Sequence, residues 1–142
     1  MIRNSFFYIL LCLCMTSLAQ ELEQHRWQER VLLVFGEQED TPALKKQFEL
    51  LTQAQEGLEE RKLVVYQVLP DYCSLMFQQK ESIPRSPSFK HKKTKAPFEI
   101  VLIGLDSGVK LRQTKILTTE ELFALIDGMP MRKAELRQKQ KN

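Results

Sequence analysis

Hydrophobic positions along the chain fall into two rhythms, and the rhythms alternate. RVLLVF, residues 30–35, is continuously apolar after its arginine, the mark of a strand buried on both faces. A polar turn, GEQED, follows it. Thr41 then stands as an N-cap, and Pro42 suits the first helical position, where its missing N–H would have no partner anyway. Leu44, Phe48 and Leu51 recur at helical spacing, and Gly57 reads as a left-handed stop. KLVVYQVL, residues 62–69, is a second mostly apolar strand. A strand, a crossover helix and a strand predict a parallel, right-handed unit. Ahead of it, residues 20–27 are polar with one large aromatic and read as an arm that docks Trp27 on the body.

Residues 70–96 break the rhythm. They are rich in lysine, serine and proline; 71–79 can form a helical turn or two, and 80–96 reads as a mobile basic insertion. PFEIVLIG, residues 97–104, is a third strand. LDSG turns tightly, with Gly108 free to take positive φ, and VKLRQTK returns as a fourth, antiparallel strand. In TTEELFALID, Thr118 and Glu121 fit a capping box, and Leu122, Leu125, Ile126 and Met129 form the apolar stripe of a helix. Gly128 ends it, and MPMRKAELRQKQKN is a short helix from Pro130 that frays into a basic tail. The expected class is α/β, with a central four-stranded mixed sheet flanked by helices.

Composition changes the picture at one end. With 43% hydrophobic and 27% charged residues among 142, the chain suits one globular domain. The first stretch, MIRNSFFYILLCLCMTSLAQ, has Arg3 as a positive lead, a short apolar run, and small residues before Gln20. It reads as a signal peptide cleaved after Ala19, with an uncleaved anchor as the alternative. Cys12 and Cys14 both follow leucine, which argues against a lipid anchor, and cleavage removes both. Cys73 alone remains, so the exported domain is held by its core with no internal disulfide. The net charge of +3 becomes +2 once Arg3 is gone, too small a surplus to imply nucleic acid. The organisation is then a signal peptide (1–19), an arm (20–29), the main domain (30–130), and a short helix with a basic tail (131–142).

The order strand-helix-strand, connector, hairpin, helix resembles a thioredoxin-like fold. Pro97 sits where such folds carry a cis-proline, so the resemblance implies a cis Ala96–Pro97 bond. A more specific likeness rests on Trp27 with Arg30 ahead of RVLLVF, Glu60-Arg61 before the second strand, LIGLDSGVKL, and LFALIDGMPMRKAE. Together these resemble the DUDES domain, a peroxiredoxin-like domain of unknown function found in exported bacterial proteins. It also occurs in animal extracellular proteins of the sushi-repeat and equarin types. The likeness spans nearly all of the chain after Ala19. Leu105 and Ser107 depart from the lysine and second glycine that flank the turn aspartate in that family, and Lys62 replaces an aspartate after Arg61. If the turn or Arg61 forms a binding pocket in that family, these departures argue against an identical ligand here.

In thioredoxin-like enzymes the start of the first helix carries the reactive sulfur. Here Thr41 stands there, and a hydroxyl forms neither a sulfenate nor a disulfide. That pole is either an ordinary capped helix or a repurposed anion site, which Glu37, Glu39 and Asp40 would oppose. Cys73 follows the second strand, misplaced for a CxxC or peroxidatic thiol, and reads as a small apolar side chain, with a free thiol or pairing to a partner's cysteine as the alternatives. Asp106 with Lys110 either turns a hairpin or presents a ligand site. Asp127 and Arg132 flank Met129-Pro130-Met131 as a structural clamp or a ligand site, with Arg132 pairing Asp127 or holding the Asp106 turn. The run Lys90-His91-Lys92-Lys93-Thr94-Lys95 is a solvated face or a contact for an anionic surface. His25 and His91 lack ligand-spaced neighbours, so neither a metal nor a cofactor is expected. The function expected is a non-redox binding module of the cell envelope with an unknown protein partner; the alternative is a peroxiredoxin-like oxidoreductase, or another enzyme using Cys73 or non-thiol residues.

Overall fold

A computed structural model of the chain describes residues 20–77, 83–84 and 91–141. The expected signal peptide, Lys90 and most of the 80–96 insertion lie outside the described residues. The strand RVLLVFG becomes β1 (Arg30–Gly36), and every residue of it is buried. It is central because both its edges are taken: β2 (Leu63–Val68) pairs parallel on one side and β5 (Phe98–Ile103) antiparallel on the other. β3 (Tyr72–Leu75) and the two-residue β4 (Ile83–Pro84) extend the sheet beyond β2, and β6 (Val109–Gln113) closes it beyond β5. Among the described residues the sheet has six strands, in the order β4-β3-β2-β1-β5-β6. The four expected strands form its centre and one edge, and the two additional ones come from the connector.

Alternation along the strands divides the core into two layers. Leu32 and Val34 of β1, Val65 of β2, and Ile100 and Leu102 of β5 share one face with Leu44, Leu51, Leu58, Leu122 and Ile126. Those residues come from α2 (Pro42–Gln53), α3 (Gln55–Glu60) and α4 (Thr119–Asp127). Val31, Leu33, Phe35, Tyr66, Val68, Cys73, Val101 and Ile103 line the other face, with Leu22 of α1 (Gln20–Glu23) packed against them. Each fully buried leucine or isoleucine contributes about 1.5–3 kcal/mol, so both layers matter to stability. Gln47, buried on α2, donates to the Leu117 carbonyl (2.9 Å) and accepts from the Leu117 N–H (2.8 Å), which ties α2 to the start of α4. α4 opens with the expected capping box of Thr118 and Glu121. α5 (Pro130–Lys139) follows Gly128 with Pro130 in its first turn.

Several local expectations are corrected. Gly57 lies inside α3; its bare Cα makes room for the Phe123 ring, which an added Cβ would meet at 2.6 Å, and the turn after α3 is taken by Lys62 at φ 49°. Residues 72–75 form a strand and not a helical turn, because the open edge of β2 satisfies their backbone groups. Ser107, not Gly108, takes the left-handed conformation, at φ 65°. Its N–H donates to Gly104 (3.0 Å) while Gly104 donates to Gly108 (2.9 Å), and this closed turn sustains the strain. Ala96–Pro97 is trans. Trp27 is 58% exposed and does not dock on the body; the arm is held by the buried His25, by Leu22 against the second layer, and by Trp27 N–H to Leu105 O at 2.7 Å.

Candidate functional site

The head of β1, the end of the crossover between β1 and β2, and the two C-terminal helices converge on one ionic cluster. Arg61 ends α3 and reaches Asp127, at the end of α4, side-on: Nε to Oδ1 at 3.1 Å and Nη2 to Oδ2 at 2.7 Å. Its guanidinium also donates to Gly57 O at 3.0 Å and lies 4.1 Å from the centre of the Phe123 ring. Arg132, buried on α5, donates to Asp127 Oδ1 (3.2 Å), Glu60 Oε1 (2.9 Å), Glu60 O (3.2 Å) and Glu135 Oε2 (3.2 Å). Arg30, at the head of β1, donates to Arg61 O (2.8 Å) and, through Nη2, to Glu135 Oε1 (3.2 Å). Three arginines therefore meet three carboxylates, and their charges balance. A guanidinium is affordable inside only when paired this way, because a buried unpaired charge is far more costly.

The carboxylates register their surroundings. Burial pushes the Asp127 carboxyl up, but hydrogen bonds from Arg61 and then Arg132 outweigh it, and the net displacement is downward. Glu135 behaves the same way, with burial opposed by Arg30 and Arg132. Of the expected site residues, Arg61, Asp127 and Arg132 are thus brought together. Glu60, Glu135 and Arg30 complete the set without having been singled out as site residues. Arg30 carried a signal: an arginine heading a strand buried on both faces needs an internal partner.

Asp106 and Lys110 form a separate pair beside this cluster. Lys110 Nζ donates to Asp106 Oδ2 at 2.7 Å, and Asp106 Oδ1 accepts from Gly108 N–H at 3.0 Å. The lysine's hydrogen bond, then Gly108's, draws the Asp106 carboxyl below its ordinary value. Gly104 permits this fold-back, since a Cβ there would lie 2.5 Å from the Lys110 stem. Between this turn and the start of α5 lies a pocket of about 200 Å³. Arg30, Gly104, Leu105, Asp106, Lys110 and the Met129-Pro130-Met131 segment line it. The Nε of Arg30 is buried with no hydrogen-bond partner among the described residues.

Thr41 stands apart from all of this and does not cap α2. Its hydroxyl accepts from Gln38 N–H at 3.3 Å, closing the turn before the helix instead. Cys73 is fully buried on β3, facing Val68 and Ile83 as its ladder partners. His25 is bonded to Tyr66 Oη at 2.7 Å and Glu29 at 2.5 Å. Within the basic run, Lys93 and Thr94 donate backbone N–H groups to the buried Glu99, which also takes the Thr94 hydroxyl (2.6 Å) and pairs with Arg112. Among the described residues no group of three or more His, Cys, Asp or Glu side chains is placed to hold a metal ion, and no helix is long and apolar enough to cross a membrane.

A family model described as "Domain of unknown function (DUF4174)" matches residues 21–135, most of the chain and every residue of the ionic cluster. The chain belongs to the DUF4174 family. The fold of this DUF4174 domain is similar to that of a 2-Cys peroxiredoxin from Plasmodium vivax solved in its reduced form. The TM-score is 0.55 at 16% identity, with 80% of this chain and 72% of that one covered. The likeness gives a thioredoxin-like fold, as the order of elements implied. No curated protein matches the sequence.

Proposed function

We propose that this DUF4174 domain is exported and acts by binding a protein of the cell envelope, not by thiol redox chemistry. The observation that carries the reading is the position of sulfur. The start of α2, where a thioredoxin-like enzyme needs its nucleophile, holds Thr41, and Cys73 is fully buried among Val68, Tyr66 and Phe35 in the second core layer. A cysteine of that kind is inert, because a reactive thiol needs access and a setting that favours the thiolate. Glu37, Glu39 and Asp40 are exposed around the helix start and disfavour a further anion there. The resemblance to the DUDES domain, with members outside the cell, and the signal-like 1–19 segment support export. The peroxiredoxin-like fold is compatible with the alternative, an oxidoreductase dependent on Cys73.

The test has two arms. Protein recovered from the envelope should begin at Gln20 on N-terminal sequencing; intact chain recovered from the cytosol overturns export. The mature protein should neither reduce insulin disulfides nor consume peroxide above background. Turnover abolished by Cys73→Ser would replace the binding reading with the enzyme one.

A further inference from the structure

We infer that the pocket between the Gly104–Lys110 turn and the start of α5 docks a peptide, taking one leucine-sized side chain together with the amide of its own backbone. This rests on the binding reading above and names the class of its ligand.

Size sets the first limit. At about 200 Å³ the pocket falls below the roughly 300–1,000 Å³ of sites that enclose drug-sized molecules, so it suits one side chain and not a cofactor. Its walls set the second. Leu105, Met129, Pro130 and Met131 are apolar, and the two methionines adapt their unbranched stems to the shape inserted. Met131 is 41% exposed, so the pocket opens to the surface.

The polar groups determine the head of the ligand. Arg30 has Nη1 and Nη2 engaged by Arg61 O and Glu135, which leaves the buried Nε–H as a donor with no acceptor among the described residues. α5 begins with no side-chain cap, and the first N–H groups of a helix have no partner within it. Asp106 supplies the complementary need: a carboxylate has about four lone-pair sites, of which Lys110 and Gly108 use two.

Charge then decides between an anion and an amide. Arg30, which lines the pocket, belongs to a cluster of three arginines balanced by Glu60, Asp127 and Glu135, and Lys110 is balanced by Asp106. A free carboxylate or phosphate would enter a site with no net positive charge and meet Asp106 on its rim. An amide brings one acceptor for Arg30 Nε–H, one donor for Asp106 and no charge.

The experiment is a titration of the ¹⁵N-labelled mature protein, followed by amide chemical shifts. The probes are N-acetyl-leucinamide and its anionic counterpart, 4-methylpentanoate. The amide should give saturable shifts centred on Leu105, Asp106 and Met131, with a Kd on the order of millimolar for so small a fragment. The carboxylate should bind at least tenfold more weakly. Met131→Trp, which fills the pocket from an exposed position, should abolish the shifts while the spectrum stays dispersed, and Met131→Leu should preserve them. Equal or tighter binding of the carboxylate overturns the peptide assignment, as does unchanged binding in Met131→Trp. No saturable shift with either probe overturns the pocket while leaving the binding reading standing. Turnover dependent on Cys73 overturns that reading, and the pocket's role with it.

Discussion

Replacing Arg132 by methionine is the sharpest test of what holds the C-terminal helices to the sheet. Methionine keeps most of the apolar stem, so the loss is almost wholly that of the guanidinium. Four hydrogen bonds disappear: to Asp127, to Glu135, and to the side chain and carbonyl of Glu60. Bonds to charged groups contribute about 1.5–3 kcal/mol each when buried. The Glu60 side chain is 47% exposed and rehydrates, so its bond is discounted heavily. Asp127 keeps Arg61 and Glu135 keeps Arg30, so neither carboxylate is stranded. Asp127 and Glu135 are themselves 36% and 20% exposed, so their bonds are discounted as well, and with each carboxylate keeping a second arginine the net loss is about 2–3 kcal/mol, below the 3–5 typical of a fully buried broken pair. With a urea m-value of about 1–3 kcal/mol/M, the midpoint of unfolding followed by circular dichroism should fall by roughly 0.7–3 M at pH 7. The pH profile adds an independent check. Asp127 and Glu135 have depressed values in the folded protein, so their contribution is complete above the ordinary carboxylate range. It is lost as pH falls through the folded values. The gap between wild type and Arg132→Met should therefore narrow from pH 7 toward pH 3. Arg132→Lys should recover less than half of the loss, because an ammonium cannot reproduce the fork. A loss under about 0.5 kcal/mol, or a gap that does not change with pH, would refute the clamp.

Other expectations follow from single contacts. Gln47→Leu strands the N–H and C=O of Leu117 and should cost about 2–3 kcal/mol by thermal unfolding, where a loss under half of that would mean the pair finds other partners. Thr118→Ala breaks a capping box and should cost about 1 kcal/mol, whereas Thr41→Ala, which loses only a turn contact, should cost less than half as much; the reverse order would restore Thr41 as the cap. Burial raises the Glu99 carboxyl, but Thr94, Arg112 and Lys93 together hold it below its ordinary value. Its contribution is therefore present at neutral pH and lost in acid. Glu99→Gln should lower stability by about 2 kcal/mol at pH 7 and speed amide exchange at Lys93 and Thr94, and unchanged exchange would show that the connector is held elsewhere.

The fold was legible where a signal is local. The unbroken apolar run 30–35, the Thr118–Glu121 box and Pro130 each specify an element from a few adjacent residues, and β1, α4 and α5 stand where those signals put them. YCSL was not legible, because four residues with no alternation become a strand only when the edge of β2 is there to pair with them. Gly57 misled for a similar reason: its bare Cα answers to Phe123, 66 residues away, and not to the end of its own helix. Within the site, Asp127 and Arg132 were visible as a close pair of opposite charge. Their companions Glu60 and Glu135 look like ordinary exposed helix carboxylates in sequence; Glu60 gains its role only when α5 brings Arg132 to the end of α3, and Glu135 only when α5 meets the head of β1 at Arg30. Thr41 illustrates the converse, since its sequence context is that of a cap and its hydroxyl serves the preceding turn.

The bond between Arg30 and Glu135 joins residues 105 apart, and Arg30 heads the strand on which both halves of the sheet are assembled. During synthesis the central strand emerges long before the carboxylate that neutralises its first side chain. Until α5 arrives, closing the sheet around β1 would bury a guanidinium with a carbonyl as its nearest relief. The expected consequence is a nascent chain held back from early closure, with stable folding waiting on the last helix. A chain stopped at Met129 should remain open to limited proteolysis within β1, while the same chain supplied with residues 130–141 as a separate peptide should gain protection. Protection without the peptide would show that the first strand does not wait for the last helix.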